Sequence, residues 1–167
     1  GCDWANLFHD PRIKNHGIGG DTSDGVRKRL DPIVSAKPVK LFLMVGINDL
    51  WNGVSVKDVV ANYRNILTQC KTKTPTTTLF IQSVLPMNGA WSSPPARVST
   101  VNAQVLALNN ALRKLASEFR YSYIDLHSVY VREGQLDPQC TSDGLHLNDK
   151  AYMIWKAAIQ NLIPNNP

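Results

Sequence analysis

Apolar positions along the chain alternate between two patterns. Near-continuous apolar runs occur at Pro38–Val45, Thr77–Val84 and Tyr121–Leu126. Such runs read as strands of a sheet covered on both faces. Ile13–Asn15 is a shorter strand candidate that enters the turn His16-Gly17-Ile18-Gly19-Gly20, where clustered glycines mark tight backbone geometry. Helical spacing fills the intervals. After Asp21-Thr22 come Val26, Leu30 and Ile33. Ser55 is an N-cap candidate for a helix to about Cys70, with Val56, Val59, Val60, Tyr63 and Leu67 along one side. Pro86–Pro95 reads as a loop, followed by a long helix burying Val101, Val105, Leu108, Leu112, Leu115 and Phe119. Gly134–Gly144 reads as loop, and Asn148 caps a last helix built on Ala151, Ile154, Trp155, Ala158 and Leu162. Strands alternating with helices predict an α/β fold of three layers, α/β/α, with a mostly parallel central sheet.

Composition narrows the function classes. At 167 residues with 43% hydrophobic content, the chain is the size of one globular domain, and 1–167 is treated as one. It has no internal repeat, and no apolar stretch is long enough for a membrane span. The 18 basic and 13 acidic residues give a net charge of +5. The basic residues are scattered, and their tightest group, Arg27-Lys28-Arg29, has no interleaved aromatics, so nucleic-acid binding is not expected. Cys2, Cys70 and Cys140 are too few for a disulfide framework and lack metal-site spacing, although a single Cys70–Cys140 bridge stays open. Gly1-Cys2 reads as an ordinary surface thiol in preference to a lipoprotein processing remnant.

Polar residues gather where the strands end, which is where open α/β sheets bind ligands. Gly20-Asp21, Gly46-Ile47-Asn48-Asp49, Pro86-Met87-Asn88 and Asp143-Gly144-Leu145-His146 occupy these positions. A Gly-rich turn exposes backbone N–H groups, and a strand-end Asn adds a side-chain donor for developing negative charge. An Asp three residues before a His can orient the imidazole as a general base. Bland readings compete with each of these. Asp143 and His146 could be a helix-capping pair, and Asn48-Asp49 an ordinary turn in which Asp49 braces the loop. His16 suits pocket lining better than catalysis, and Asp21 joins it as a pocket candidate. Trp51, Met87 and Trp91 either line an acyl or sugar pocket or simply pack. Ser83 lacks a nucleophile elbow. No metal site is expected, because His9, Asp10, His16 and Asp21 do not have structural-zinc spacing.

These blocks, taken in order, resemble the SGNH or GDSL-type hydrolase superfamily, and most closely its small acylhydrolases similar to platelet-activating-factor acetylhydrolase subunits. Asn15–Thr22 resembles the second block, Gly46–Asp49 the G-x-N-D block, and Asp143–His146 the D-x-x-H block. Gln82–Pro86 and Ile124-Asp125-Leu126 fit the flanking sequences. The resemblance implies a flavodoxin-like sandwich, oxyanion donors at Gly20 and Asn48, and His146 with Asp143 as base and orienting acid. It also implies hydrolysis of a small ester, with acetylated carbohydrate favoured and no cofactor. The family's Gly-Asp-Ser block has no counterpart here, and Gly1–Phe8 resembles the segment that follows it. The expectation is therefore that about 10–20 upstream residues, a strand and its turn, carry the serine. The alternative reading is a non-catalytic carbohydrate- or protein-binding module, and a third is a homodimer whose partner supplies that strand. Nothing in the sequence decides the compartment, with a periplasmic or secreted one slightly favoured.

Overall fold

A computed structural model of the chain describes residues 2–90 and 94–163. Its centre is a parallel sheet of β1 (Lys40–Leu43), β2 (Thr78–Gln82) and β3 (Ser122–Ile124), in that order. Leu41 pairs with Leu79 and Phe42 with Phe80 across one ladder, and Ile81 with Tyr123 across the other. The three apolar runs thus form the three strands, each shorter than its run because the flanking residues leave the ladder.

Period-2 alternation sends the strand side chains to two separate cores. Leu41, Leu43, Leu79, Ile81 and Tyr123 face a core built with α5 (Val56–Lys73) and α6 (Pro95–Phe119). Phe42, Met44, Leu85 and Ile124 face a second core with α1 (Trp4–Phe8) and α8 (Asp149–Ile159). Here Trp4 meets the Trp155 ring edge-on, with centroids 5.1 Å apart. The result is the α/β/α layering, with helices on both faces of a parallel sheet.

Local signals account for the helix ends. Ser55 accepts from the Asp58 N–H at 3.1 Å and opens α5, while Asn148 accepts from Ala151 N–H at 3.0 Å and opens α8. Thr22 caps α2 (Ser23–Lys28), which α3 (Leu30–Ser35) follows. Arg120, with φ 60°, ends α6 in the left-handed region.

Three segments depart from the sequence reading. Ile13–Asn15 is not a strand, because a run this short exists as one only through a ladder. Its neighbourhood instead makes local bonds, such as Ile13 N–H to Asp10 O and Gly17 N–H to Asn15 Oδ1. Ile47–Trp51 is a short helix, α4, in place of a plain turn. The segment read as loop from Gly134 contains one arm of a hairpin. After α7 (His127–Tyr130), β4 (Val131–Arg132) pairs antiparallel with β5 (Gln135–Leu136). Glu133 and Gly134 both have positive φ, 50° and 75°, as a two-residue primed turn requires. All three cysteines are free, and Cys70 and Cys140 belong to cores on opposite faces of the sheet.

Beyond Gln82 the regular strand ends, and asparagine side chains of α6 take over the pairing of the backbone. Asn109 accepts from Val84 N–H at 2.8 Å and donates to Val84 O at 2.9 Å. Asn102, seven positions earlier on α6, does the same for Met87 at 2.8 Å each way. Both amides are buried, so removing one strands two backbone groups away from water. Asn109→Ala should lower the unfolding free energy by roughly 2–3 kcal/mol in urea titration. A loss below about 0.5 kcal/mol would mean that water replaces the clamp.

Candidate active site

The end of β1 is held by a tyrosine. The Tyr63 hydroxyl, fully buried on α5, donates to Val45 O at 2.8 Å and accepts from Val45 N–H at 3.0 Å, and burial pushes the phenol pKa up. Gly46 then turns the chain at φ +136°, in a region that a side chain would strain. A Cβ there would also lie 2.9 Å from Leu108 Cδ2, so the turn can press against α6 only as glycine.

That turn starts α4 and places Asn48 and Asp49 on different neighbours. Asn48 Nδ2 donates to Asp21 O at 2.8 Å. Asp49 is 1% exposed and accepts from Ser23 twice, from the N–H at 2.8 Å and from the hydroxyl at 2.6 Å. Asn62 of α5 donates to the same Ser23 hydroxyl at 2.9 Å. A buried carboxylate at the start of α2 is thus satisfied by hydrogen bonds and by the positive end of that short helix. The Asp21 carboxylate bonds Thr22 N–H at 2.9 Å and Arg29 Nε at 2.7 Å. It lies so close to Gly25 that a Cβ there would sit 1.9 Å from Asp21 Oδ1.

The loop before α8 carries the Asp–His pair. His146 Nδ1 and Asp143 Oδ2 are 2.6 Å apart, while Asp143 Oδ1 accepts from the N–H groups of Leu145 and His146 at 2.9 and 2.7 Å. The imidazole bond, followed by those two backbone donors, holds the Asp143 carboxyl well below the usual carboxylate range. An ionised Asp143 fixes the proton on Nδ1 and leaves Nε2 as the acceptor, the tautomer a general base needs. The His146 side chain is 76% exposed, so Nε2 is open to an incoming group.

A cleft of about 290 Å³ brings the strand ends together. Asp21, Asn48 and His146 line it, beside Arg29, Tyr152 and Trp155. Asp143 enters the arrangement through its bond to the His146 ring. Gly20 directly precedes Asp21, exposed and with φ +76°. His16 is exposed on the same loop, whose Gly17 and Ile18 reach the cleft wall. Trp51, one helical turn from Asn48, is half-buried under the Arg97 guanidinium, 4.1 Å from its ring centroid. Met87 is buried in the α6 core and is not among the cleft-lining residues. Trp91 falls outside the described residues. Ser83 is fully buried and accepts from His127 N–H at 2.6 Å. Among the described residues, no group of three or more His, Cys, Asp or Glu side chains is placed to hold a metal ion. Nor is any helix long and apolar enough to cross a membrane. Sequence reasoning passed over Ser23 and Asn62, whose polar atoms matter only because α2, α4 and α5 converge on Asp49. No spacing in the chain signals that convergence.

The sequence model of the GDSL-like Lipase/Acylhydrolase family matches residues 2–154. Two N-acylneuraminate cytidylyltransferases of Streptococcus agalactiae, from serotypes V and III, are each 25% identical to this chain over 149 residues. The match covers 87% of this chain and 33% of theirs, so the chain spans about a third of the length of these curated relatives. Solved structures share the fold. One, from Streptococcus pneumonia and described as a platelet activating factor candidate, has a TM-score of 0.82 at 24% identity, covering 95% of this chain and 77% of its own. A GDSL-like lipase from Bacteroides thetaiotaomicron gives 0.77 at 22%, covering 88% and 73%. A catalytic serine-to-alanine mutant of an acetylxylan esterase from Geobacillus stearothermophilus gives 0.70 at 19%, covering 88% and 69%.

Two measurements test this geometry. In a 13C NMR titration the Asp143 carboxyl should stay ionised through the ordinary aspartate midpoint of about 3.9 and titrate only below it. A midpoint at or above that value would mean that the bond to His146 does not persist in solution. Asp49→Ala should cost roughly 2–4 kcal/mol in chemical denaturation, since Ser23 would keep two buried donors with no acceptor.

Proposed function

The chain belongs to the GDSL-like lipase/acylhydrolase family, and from that premise we propose that it forms the general-base and oxyanion half of a serine ester hydrolase. The single observation that carries the reading is the 2.6 Å Asp143–His146 bond, on a cleft that Asn48 also lines. The nucleophilic serine comes from outside residues 1–167. The serine-to-alanine catalytic mutant of the Geobacillus esterase supports a serine in that role.

In this mechanism the serine oxygen attacks the ester carbonyl while His146 Nε2 takes its proton. Asp143 keeps the imidazole in the required tautomer and stabilises its charged form. The carbonyl oxygen becomes an oxyanion that accepts hydrogen bonds from Gly20 N–H and Asn48 Nδ2. Asn48 has a donor to spare, because only one of its two amide hydrogens is needed by Asp21 O. The tetrahedral adduct collapses, the C–O bond to the alcohol breaks, and the leaving oxygen takes the proton from His146. Water, deprotonated by the same imidazole, then releases the acid and frees the serine. No cofactor is called for.

Short acyl esters, acetylated carbohydrates in particular, are the proposed substrates. An acetylxylan esterase and enzymes named for an N-acylated sugar among the similar proteins support this class. Asp21, Asn48, Arg29 and His146 line the cleft together with Trp155 and Tyr152, a mixture of polar groups and aromatic rings suited to a sugar.

The deciding experiment is intact-mass analysis of the full-length protein after a serine-directed fluorophosphonate probe. One stoichiometric adduct supports the esterase, and no adduct hands the fold to the alternative reading, a non-catalytic carbohydrate- or protein-binding module. In the unlabelled full-length protein, His146→Ala should reduce turnover of 4-nitrophenyl acetate by at least about 1,000-fold. Asn48→Ala should cost about 100- to 1,000-fold in kcat with little change in KM, as for loss of one oxyanion donor. Acetate esters should be cleaved at least 10-fold better than octanoate esters by kcat/KM, and the reverse order would remove the short-acyl assignment.

A further inference from the structure

We infer that Thr141 is a positioning residue for the Asp143–His146 pair, and that its buried hydroxyl sets the shape of the loop that presents the base. Thr141 is 5% exposed and lies just past the 3₁₀ turn Pro138–Cys140. Its Oγ1 donates to His146 O at 2.7 Å and accepts from Gly144 N–H at 2.9 Å, with Asp143 N–H further off at 3.3 Å. One side chain therefore ties both ends of the Asp143–His146 stretch to one point.

The two functional candidates themselves are held by hydrogen bonds more than by packing. The side chains of Asp143 and His146 are 51% and 76% exposed, so packing does little to fix them. Gly144 O accepts from Asn88 N–H at 2.8 Å, which ties the loop's middle to the segment that Asn102 clamps against α6. Thr141 and Leu147 form an isolated antiparallel bridge that closes the loop at its base. Within that frame Asp143 Oδ1 gathers the Leu145 and His146 N–H groups, and the Thr141 hydroxyl fixes where His146 O lies. The direction of the His146 ring follows from its backbone and from the bond to Asp143.

This inference rests on the reading of His146 as general base, and the experiment separates the two. In the full-length protein, Thr141→Val keeps the side-chain shape and removes both donor and acceptor. Turnover of 4-nitrophenyl acetate should fall about 10- to 100-fold in kcat, with KM changed by less than about 3-fold, as expected for misplacement of a reacting group. Thr141→Ser, which keeps the hydroxyl, should restore kcat to within about 3-fold of the parent. If the valine variant does not fold by near-UV circular dichroism, Thr141→Ala is compared with Thr141→Ser on the same criteria. An unchanged kcat in the hydroxyl-free variant, or a serine variant no better than it, overturns the role of Thr141. If His146→Ala is itself fully active, the general-base reading fails and takes this inference with it. If His146→Ala is inactive while the hydroxyl-free variant is normal, only the inference fails.

Discussion

Parallel pairing is the constraint on which everything else in this molecule depends. Because β1, β2 and β3 run the same way, their C-terminal ends open at one edge of the sheet. Each return to the start of the next strand requires a helix on one face. Polar residues placed just after separate strands, many positions apart in the chain, are thereby delivered to one region. Asn48 follows β1, and the segment to Asn88 follows β2. The Asp143–His146 loop meets that second segment through the Asn88 N–H bond to Gly144 O.

That edge is also where regular backbone pairing stops, so the groups that build the cleft depend on side chains for their hydrogen bonds. Tyr63 holds Val45, Asn109 holds Val84, Asn102 holds Met87, and Asp49 holds Ser23. Each is a buried polar side chain satisfied by an element distant in sequence, and no buried side-chain polar atom among the described residues lacks a partner. Satisfied networks of this kind are stiff, because moving one member exposes another's unpaired group to a low-dielectric interior. Stiffness at the bases of the loops, with the exposed Asp143 and His146 side chains above, suits the proposed hydrolase, whose reacting groups have to be held in place before substrate arrives.

Much of this was legible along the chain. The strands at Lys40, Thr78 and Ser122 and the long helix from Pro95 carry patterns whose period alone distinguishes them, and Ser55 and Asn148 announce their helices by local capping. The Asp143–His146 bond could be foreseen because both partners lie within one short loop. Ile13–Asn15 misled for the complementary reason. A strand is a pairing and not a property of three residues, and this segment pairs with none of the three strands. The hairpin of β4 and β5 was missed because two-residue strands are too short to show any alternation.

Period, caps and short loops act over a few residues, so the sequence already specified the layers, the direction of the sheet and the local Asp–His geometry. The tertiary fold had to supply the rest: which residue satisfies Asp49, which hydroxyl fastens the His146 loop, and that Met87 is buried while Asn48 lines a cleft. Those outcomes turn on distances between elements tens of residues apart. Such distances exist only once the helices have packed against the sheet and water has been driven from between them.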